Sequence, residues 1–113
     1  MQRDVIFTEN EDILVASIQC DIDHHTAKPM REKIDRRLSE MRPGALLIDF
    51  SQVVFMDSSG LGLIMGRAES AEKIGCRVAV SGLSPSLRKL FSLCGLDRVK
   101  NLSVLEGERT YKR

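Results

Sequence analysis

A chain of 113 residues has room for one hydrophobic core, since two would leave each half near the lower limit for folding alone. Its 17 basic and 16 acidic residues leave a formal net charge of +1, so no global field draws it to nucleic acid or an anionic membrane. With one Tyr, four Phe and no Trp it has little from which to build base-stacking platforms.

The longest apolar runs, at 45–48 and 53–56, fall far short of the ~20 residues a membrane span requires. Met1-Gln2-Arg3-Asp4 lacks the charged-then-apolar order of a secretory signal and no lipidation box ends the chain, so a cytoplasmic protein is expected. Cys20, Cys76 and Cys94 form no CxxC. They are read as reduced thiols serving as small buried hydrophobes.

Residues 5–8 and 13–19 are β-prone runs separated by Asn10-Glu11-Asp12, which reads as an antiparallel hairpin. A loop follows, Asp21-Ile22-Asp23-His24-His25-Thr26, in which Asp23 and Thr26 both qualify as helix N-caps. Ala27, Met30, Ile34, Leu38 and Met41 then recur at helical spacing, until Arg42-Pro43-Gly44 stops the helix. Its cations Lys28, Arg31, Lys33, Arg36, Arg37 and Arg42 are interrupted by Glu32, Asp35 and Glu40, as on a salted, solvent-facing helix.

Residues 45–50 are apolar with little alternation, which predicts a central strand covered on both faces. A second apolar stretch at 53–56 leads into Asp57-Ser58-Ser59-Gly60, and Leu61, Ile64, Met65, Ala68 and Ala71 then trace a helical face ended by Gly75. Residues 76–81 form the next strand. Ser84 caps a short helix with Pro85 at its first position, lined by Leu87, Leu90, Phe91 and Cys94 and ended by Gly95. Residues 102–105 read as a last strand and 106–113 as a frayed polar tail or short last helix. Strands alternating with helices after a hairpin predict a single α/β domain over 1–113, with a mixed, mostly parallel sheet and right-handed crossovers.

The segment Phe55-Met56-Asp57-Ser58-Ser59-Gly60-Leu61-Gly62 sets a hydroxyl-rich turn at the start of a helix. Ser58 or Ser59 can cap that helix, and its free N–H groups and dipole favour negative charge there. A phosphate on the turn would add roughly −1.5 to −2 charges beside Asp57 and repel a partner that accepted the bare hydroxyl.

Together with Asp23-His24-His25-Thr26-Ala27, with Gly66-Arg67, and with residues 83–96, this segment makes the chain resemble STAS domains of the anti-sigma factor antagonist type, those of sporulation above all. The resemblance runs from about residue 13 to 99. It implies helices packed mainly on one side of the sheet and phosphorylation of Ser58 by an anti-sigma factor that is also a serine kinase binding ATP or ADP. The unphosphorylated form would bind that kinase and release its sigma factor, and a PP2C-type phosphatase would restore it. Partner contacts would come from Asp23, His24, His25, Thr26, Asp57, Ser58, Ser59, Gly60 and Leu61, with Asp57 orienting the Ser58 hydroxyl. On this reading the protein is a substrate and ligand, monomeric when free, with no catalytic residues, cofactor, metal, membrane or direct nucleic-acid partner. Cys20-Asp21 departs from the Gly-Glu or Gly-Asp usual there, and 106–113 hardly supplies the amphipathic last helix many members carry.

Other readings are weaker. A hydrolase built on Ser58, His24 or His25, and Asp23 lacks a G-x-S-x-G turn, and Asp57 would oppose an oxyanion. His24 and His25, adjacent on a helix, point about 100° apart and cannot easily share a metal. Gly60, Gly62 and Gly66 do not spell a phosphate loop, and are read as letting the helix approach the sheet. Within the fold, the alternative is a non-switching scaffold or ligand-binding module.

Overall fold

The computed structural model describes residues 4–105. β1 (Val5–Asn10) and β2 (Ile13–Ile18) pair antiparallel through the turn at Glu11-Asp12, as the sequence predicts. Then β3 (Ala45–Asp49), β4 (Arg77–Ser81) and β5 (Leu102–Val104) add in parallel, giving a five-stranded sheet in chain order. The crossovers are α1 (His24–Met41), α2 (Ser58–Glu72) and α3 (Pro85–Leu93). A single 3₁₀ turn at Leu96–Arg98 follows α3.

Each crossover steps to the next strand in the same direction, so right-handed connections carry the helices to one face of the sheet. Burial agrees. Leu14, Ala16, Ile18, Leu46, Ile48, Val78, Val80 and Leu102 are buried beneath the helices, whereas Val15, Ser17, Ala45, Leu47, Asp49 and Ala79 are only half-buried. This corrects the expectation for the central strand: β3 is closed on one face, not both, because no crossover turns back to cover the other.

α1 presents Met30, Ile34 and Leu38 to the core, and α2 presents Leu63, Ile64, Ala68 and Ala71. Met65, expected on that face, is 47% exposed. Phe91 of α3 meets Phe50 edge-on, ring centroids 5.9 Å apart, which fixes α3 against the end of β3. The thiols differ too: Cys76 is buried, Cys20 intermediate and Cys94 exposed, because α3 ends at Leu93 and Cys94 turns outward. Burial, ahead of neighbouring carboxylates, pushes the Cys20 and Cys76 thiols up, which keeps both protonated at neutral pH. The expected tail at 106–113 lies outside the described residues.

Candidate functional site at the paired helix starts

The starts of α1 and α2 are stitched together by the chain just ahead of each. Ile22 and Met56 form an isolated parallel bridge, in which the Ile22 N–H donates to the Phe55 carbonyl and the Asp57 N–H to the Ile22 carbonyl, both at 3.1 Å. One carboxylate oxygen of Asp21 accepts the N–H groups of Val54 and Phe55, each at 3.0 Å. The two helix starts thus leave the same edge of the molecule side by side.

Asp23, of the two cap candidates, begins α1. Its carboxylate accepts the N–H groups of His25 at 2.9 Å and Thr26 at 3.0 Å, while the Thr26 hydroxyl accepts the Asp23 N–H at 3.0 Å, a reciprocal capping box. Those bonds, the Thr26 N–H foremost, hold the Asp23 carboxyl below the usual carboxylate range against the opposing cost of desolvation. Both N–H groups fall on one oxygen, Oδ1, and among the described residues no hydrogen bond joins the Asp23 carboxylate to the His24 or His25 ring. Pro29 falls inside the helix.

The α2 start corrects a second expectation. Asp57, not a serine, is the N-cap: its carboxylate accepts the Ser59 N–H at 2.8 Å. It therefore shapes the turn through the backbone and is not bonded to the Ser58 hydroxyl. Ser58, first residue of α2, is exposed, and Ser59 is intermediate. Gly60 is buried where a Cβ would collide with the Met56 side chain and press Ile22 Cγ2 at 3.3 Å, so here the backbone does come close. Gly62 and Gly66 do not serve that purpose, since a Cβ on either would meet nothing within 4 Å. Leu61 is half-buried against the core.

His24 and His25 project from the first two positions of α1 with ring centroids 4.1 Å apart and planes tilted by 36°. The two rings lie closer than helical spacing predicts. No group of three His, Cys, Asp or Glu that could hold a metal occurs among the described residues.

With the helix starts and the serine turn in place, one match decides the family: the model of the STAS domain covers residues 4–108. The chain belongs to the STAS domain family. Among curated STAS relatives, it is 33% identical to the anti-sigma-B factor antagonist of Listeria monocytogenes, over 89% of this chain and 85% of that one. It is 26% identical to the anti-sigma F factor antagonist of Paenibacillus polymyxa, over 88% and 85%. The solved anti-sigma factor antagonist SpoIIAA superposes in its unphosphorylated form with a TM-score of 0.71 at 25% identity, over 92% of this chain and 89% of that one. The phosphorylated form, from Bacillus, gives 0.69 at 26%, over 90% and 91%.

Three features around these helix starts escape a reading of the sequence. Asp21 organises the loop before the serine turn. Val54 and Phe55, from an apolar run that looks like core, are 78% and 55% exposed. Arg67 is nearly buried and pairs with Asp35. Only the acidic residue at 21, beside a loop of cap formers, gives any signal in advance.

Proposed function

We propose that this chain is an anti-sigma factor antagonist switched by phosphorylation of Ser58. In its unphosphorylated form it binds an anti-sigma factor that is also a serine kinase holding ATP or ADP, and so frees a sigma factor for transcription. Phosphorylation ends the contact and a PP2C-type phosphatase restores it. The protein is the substrate of both enzymes, acts in the cytoplasm and is monomeric when free. A sporulation regulator is the first candidate pathway, in line with the SpoIIAA match, and the relative named for sigma B makes a sigma-B-type factor the second.

The observation that carries this reading is the exposed Ser58 hydroxyl on a turn already capped by Asp57. A phosphate can be added there without breaking the cap, and the positive end of the helix dipole tolerates an anion. About −1.5 to −2 added charges next to Asp57 would sharply deepen the negative charge a partner meets on this turn. That a related antagonist, SpoIIAA, has been solved in both phosphorylated and unphosphorylated forms supports a modification that leaves the fold intact. The partner contacts would be Asp23, His24, His25, Thr26, Asp57, Ser58, Ser59, Gly60 and Leu61, with Val54 and Phe55 adding apolar area beside them.

The test is incubation with the cognate anti-sigma kinase and ATP, mapping of the phosphate, and calorimetric binding of variants. Ser58→Ala is expected to stay unmodified and bind like wild type, while Ser58→Asp binds at least about tenfold more weakly, a loss of about 1.4 kcal/mol. Equal binding by the bare and phosphorylated forms would instead favour a non-switching STAS scaffold.

A further inference from the structure

His24, Lys28, Arg31 and Asp35 lie at successive helical spacings along the side of α1 that faces α2. Opposite them, Ser59, Gly62, Leu63, Gly66 and Arg67 form the corresponding stripe of α2. Between the stripes runs a cleft of about 420 Å³, lined by His24, Lys28, Arg31, Ser59, Gly62, Gly66 and Arg67 among others. That volume falls within the range of small-molecule sites, roughly 300–1,000 Å³.

The charges of this cleft do not balance. Arg67, 5% exposed, has one counter-charge, Asp35, with Nε and Oδ1 2.8 Å apart. Arg31 stands near enough to repel the Arg67 guanidinium. Neither Lys28 nor Arg31 forms an ion pair with a described residue, whereas Lys33 and Arg37, on another side of α1, are paired with Asp4 and Glu9. Against three permanent cations there is a single carboxylate. Gly62 and Gly66 leave the α2 wall without side chains, as a Cβ on either would point into open space.

We infer that the cleft between α1 and α2 is a binding site for a small phosphorylated molecule, its phosphoryl group held by Lys28 and Arg31 over the recessed Arg67. A guanidinium only 5% exposed at the floor of a cleft is reached by a small anion more readily than by a protein surface, and a phosphoryl oxygen suits both forked and point-charge donors. Ala27 and Leu63 offer apolar wall to the remainder of the molecule. The cleft shares His24 and Ser59 with the proposed partner face, but its ligand is read on the free chain, so the titration fails or holds separately from the Ser58 switch.

The experiment is an amide NMR titration of the full chain with inorganic phosphate and, in a second arm, ribose 5-phosphate, against sodium chloride at matched ionic strength. Saturable shifts at Ser59, Gly62, Gly66 and Arg31 are expected with one or both phosphates. Tighter binding of the sugar phosphate supports a phosphorylated molecule as the ligand, and equal or tighter binding of inorganic phosphate overturns that part of the proposal in favour of the free anion. The K28A/R31A variant changes two exposed side chains, and is expected to keep the wild-type unfolding midpoint and lose at least about tenfold in affinity. Shifts that chloride reproduces, that do not saturate, or that survive in K28A/R31A overturn the proposal.

Discussion

Asp35 of α1 and Arg67 of α2 bring opposite charges to 2.8 Å across the helix pair, the arginine side chain 7% and the aspartate 43% exposed. Nε and Oδ1 are both buried without an aligned hydrogen bond, so the contact acts as charge against charge. Burial is the main influence lowering the Arg67 pKa, and the Asp35 carboxylate is the one that opposes it.

Removing the carboxylate leaves a guanidinium in the helix interface with no counter-charge among the described residues, its Nη1 donating only to the Leu63 carbonyl at 3.4 Å. Fully buried pairs broken this way lose about 3–5 kcal/mol, and the exposure of Asp35 scales that down. Asp35→Asn is expected to lower stability by about 1–2 kcal/mol in urea denaturation. The double variant Asp35→Asn with Arg67→Met should recover part of the loss, because the stranded charge is gone; recovery of nothing would mean the pair is not the cause.

Asp21 holds Val54 and Phe55 by backbone bonds at 3.0 Å from one oxygen. Such charge-assisted bonds at an exposed site contribute about 1 kcal/mol in net stability. Asp21→Ala should therefore change global stability little while raising hydrogen exchange at the Val54 and Phe55 amides about tenfold or more. Unchanged protection at both amides would show that the Ile22–Met56 bridge positions this loop unaided.

How much of this was legible follows from where each signal resides. The hairpin, the α/β alternation and all three helices could be read because turn formers and apolar spacing are local properties. The one-sided burial of β3 could not: Leu46, Leu47 and Ile48 are alike in polarity, and which one faces helices depends on the direction of the crossovers. The exposure of Val54 and Phe55 rests on a carboxylate far away in sequence, and the burial of Arg67 on a counter-charge from another helix. Asp57, Ser58 and Ser59 are all good caps, so composition left the α2 start undecided until the Asp57 carboxylate was seen on the Ser59 N–H.

Gly60 leaves no room for a side chain between α2 and the Met56–Ile22 bridge. Gly60→Ala must push Met56, itself 4% exposed, out of a closed core, and overpacking of this kind costs about 1–3 kcal/mol. Gly62→Ala, with free space around its Cβ, gains helix propensity of about 1 kcal/mol. The opposite signs should be evident in thermal melts of the two variants, and a destabilised Gly62→Ala would contradict the open cleft wall.

The Asp23 carboxyl is held below its ordinary range in the folded chain by the Thr26 and His25 N–H groups. A depressed folded value means that the cap's contribution is complete above the ordinary carboxylate range and disappears as pH falls through the folded value. Following the Asp23 carboxyl carbon by NMR should reveal titration below that of an unstructured aspartate, with the first-turn amides of α1 moving in step. Titration at or above the ordinary range would mean the capping box does not persist in solution.

Asp57 and Ser58 are neighbours with separable tasks. If Asp57 alone caps α2, Asp57→Ala should cost about 1 kcal/mol, while Ser58→Ala should stay within about 0.5 kcal/mol of wild type. This asymmetry matters for regulation, because a serine engaged as the cap could not be modified without loosening the helix it begins. A Ser58 hydroxyl released from that duty by its neighbour can take up a phosphate while α2 stays in place. Equilibrium denaturation of the two alanine variants decides it: a larger loss at Ser58 than at Asp57 would reverse the assignment and tie modification to unwinding of the first turn.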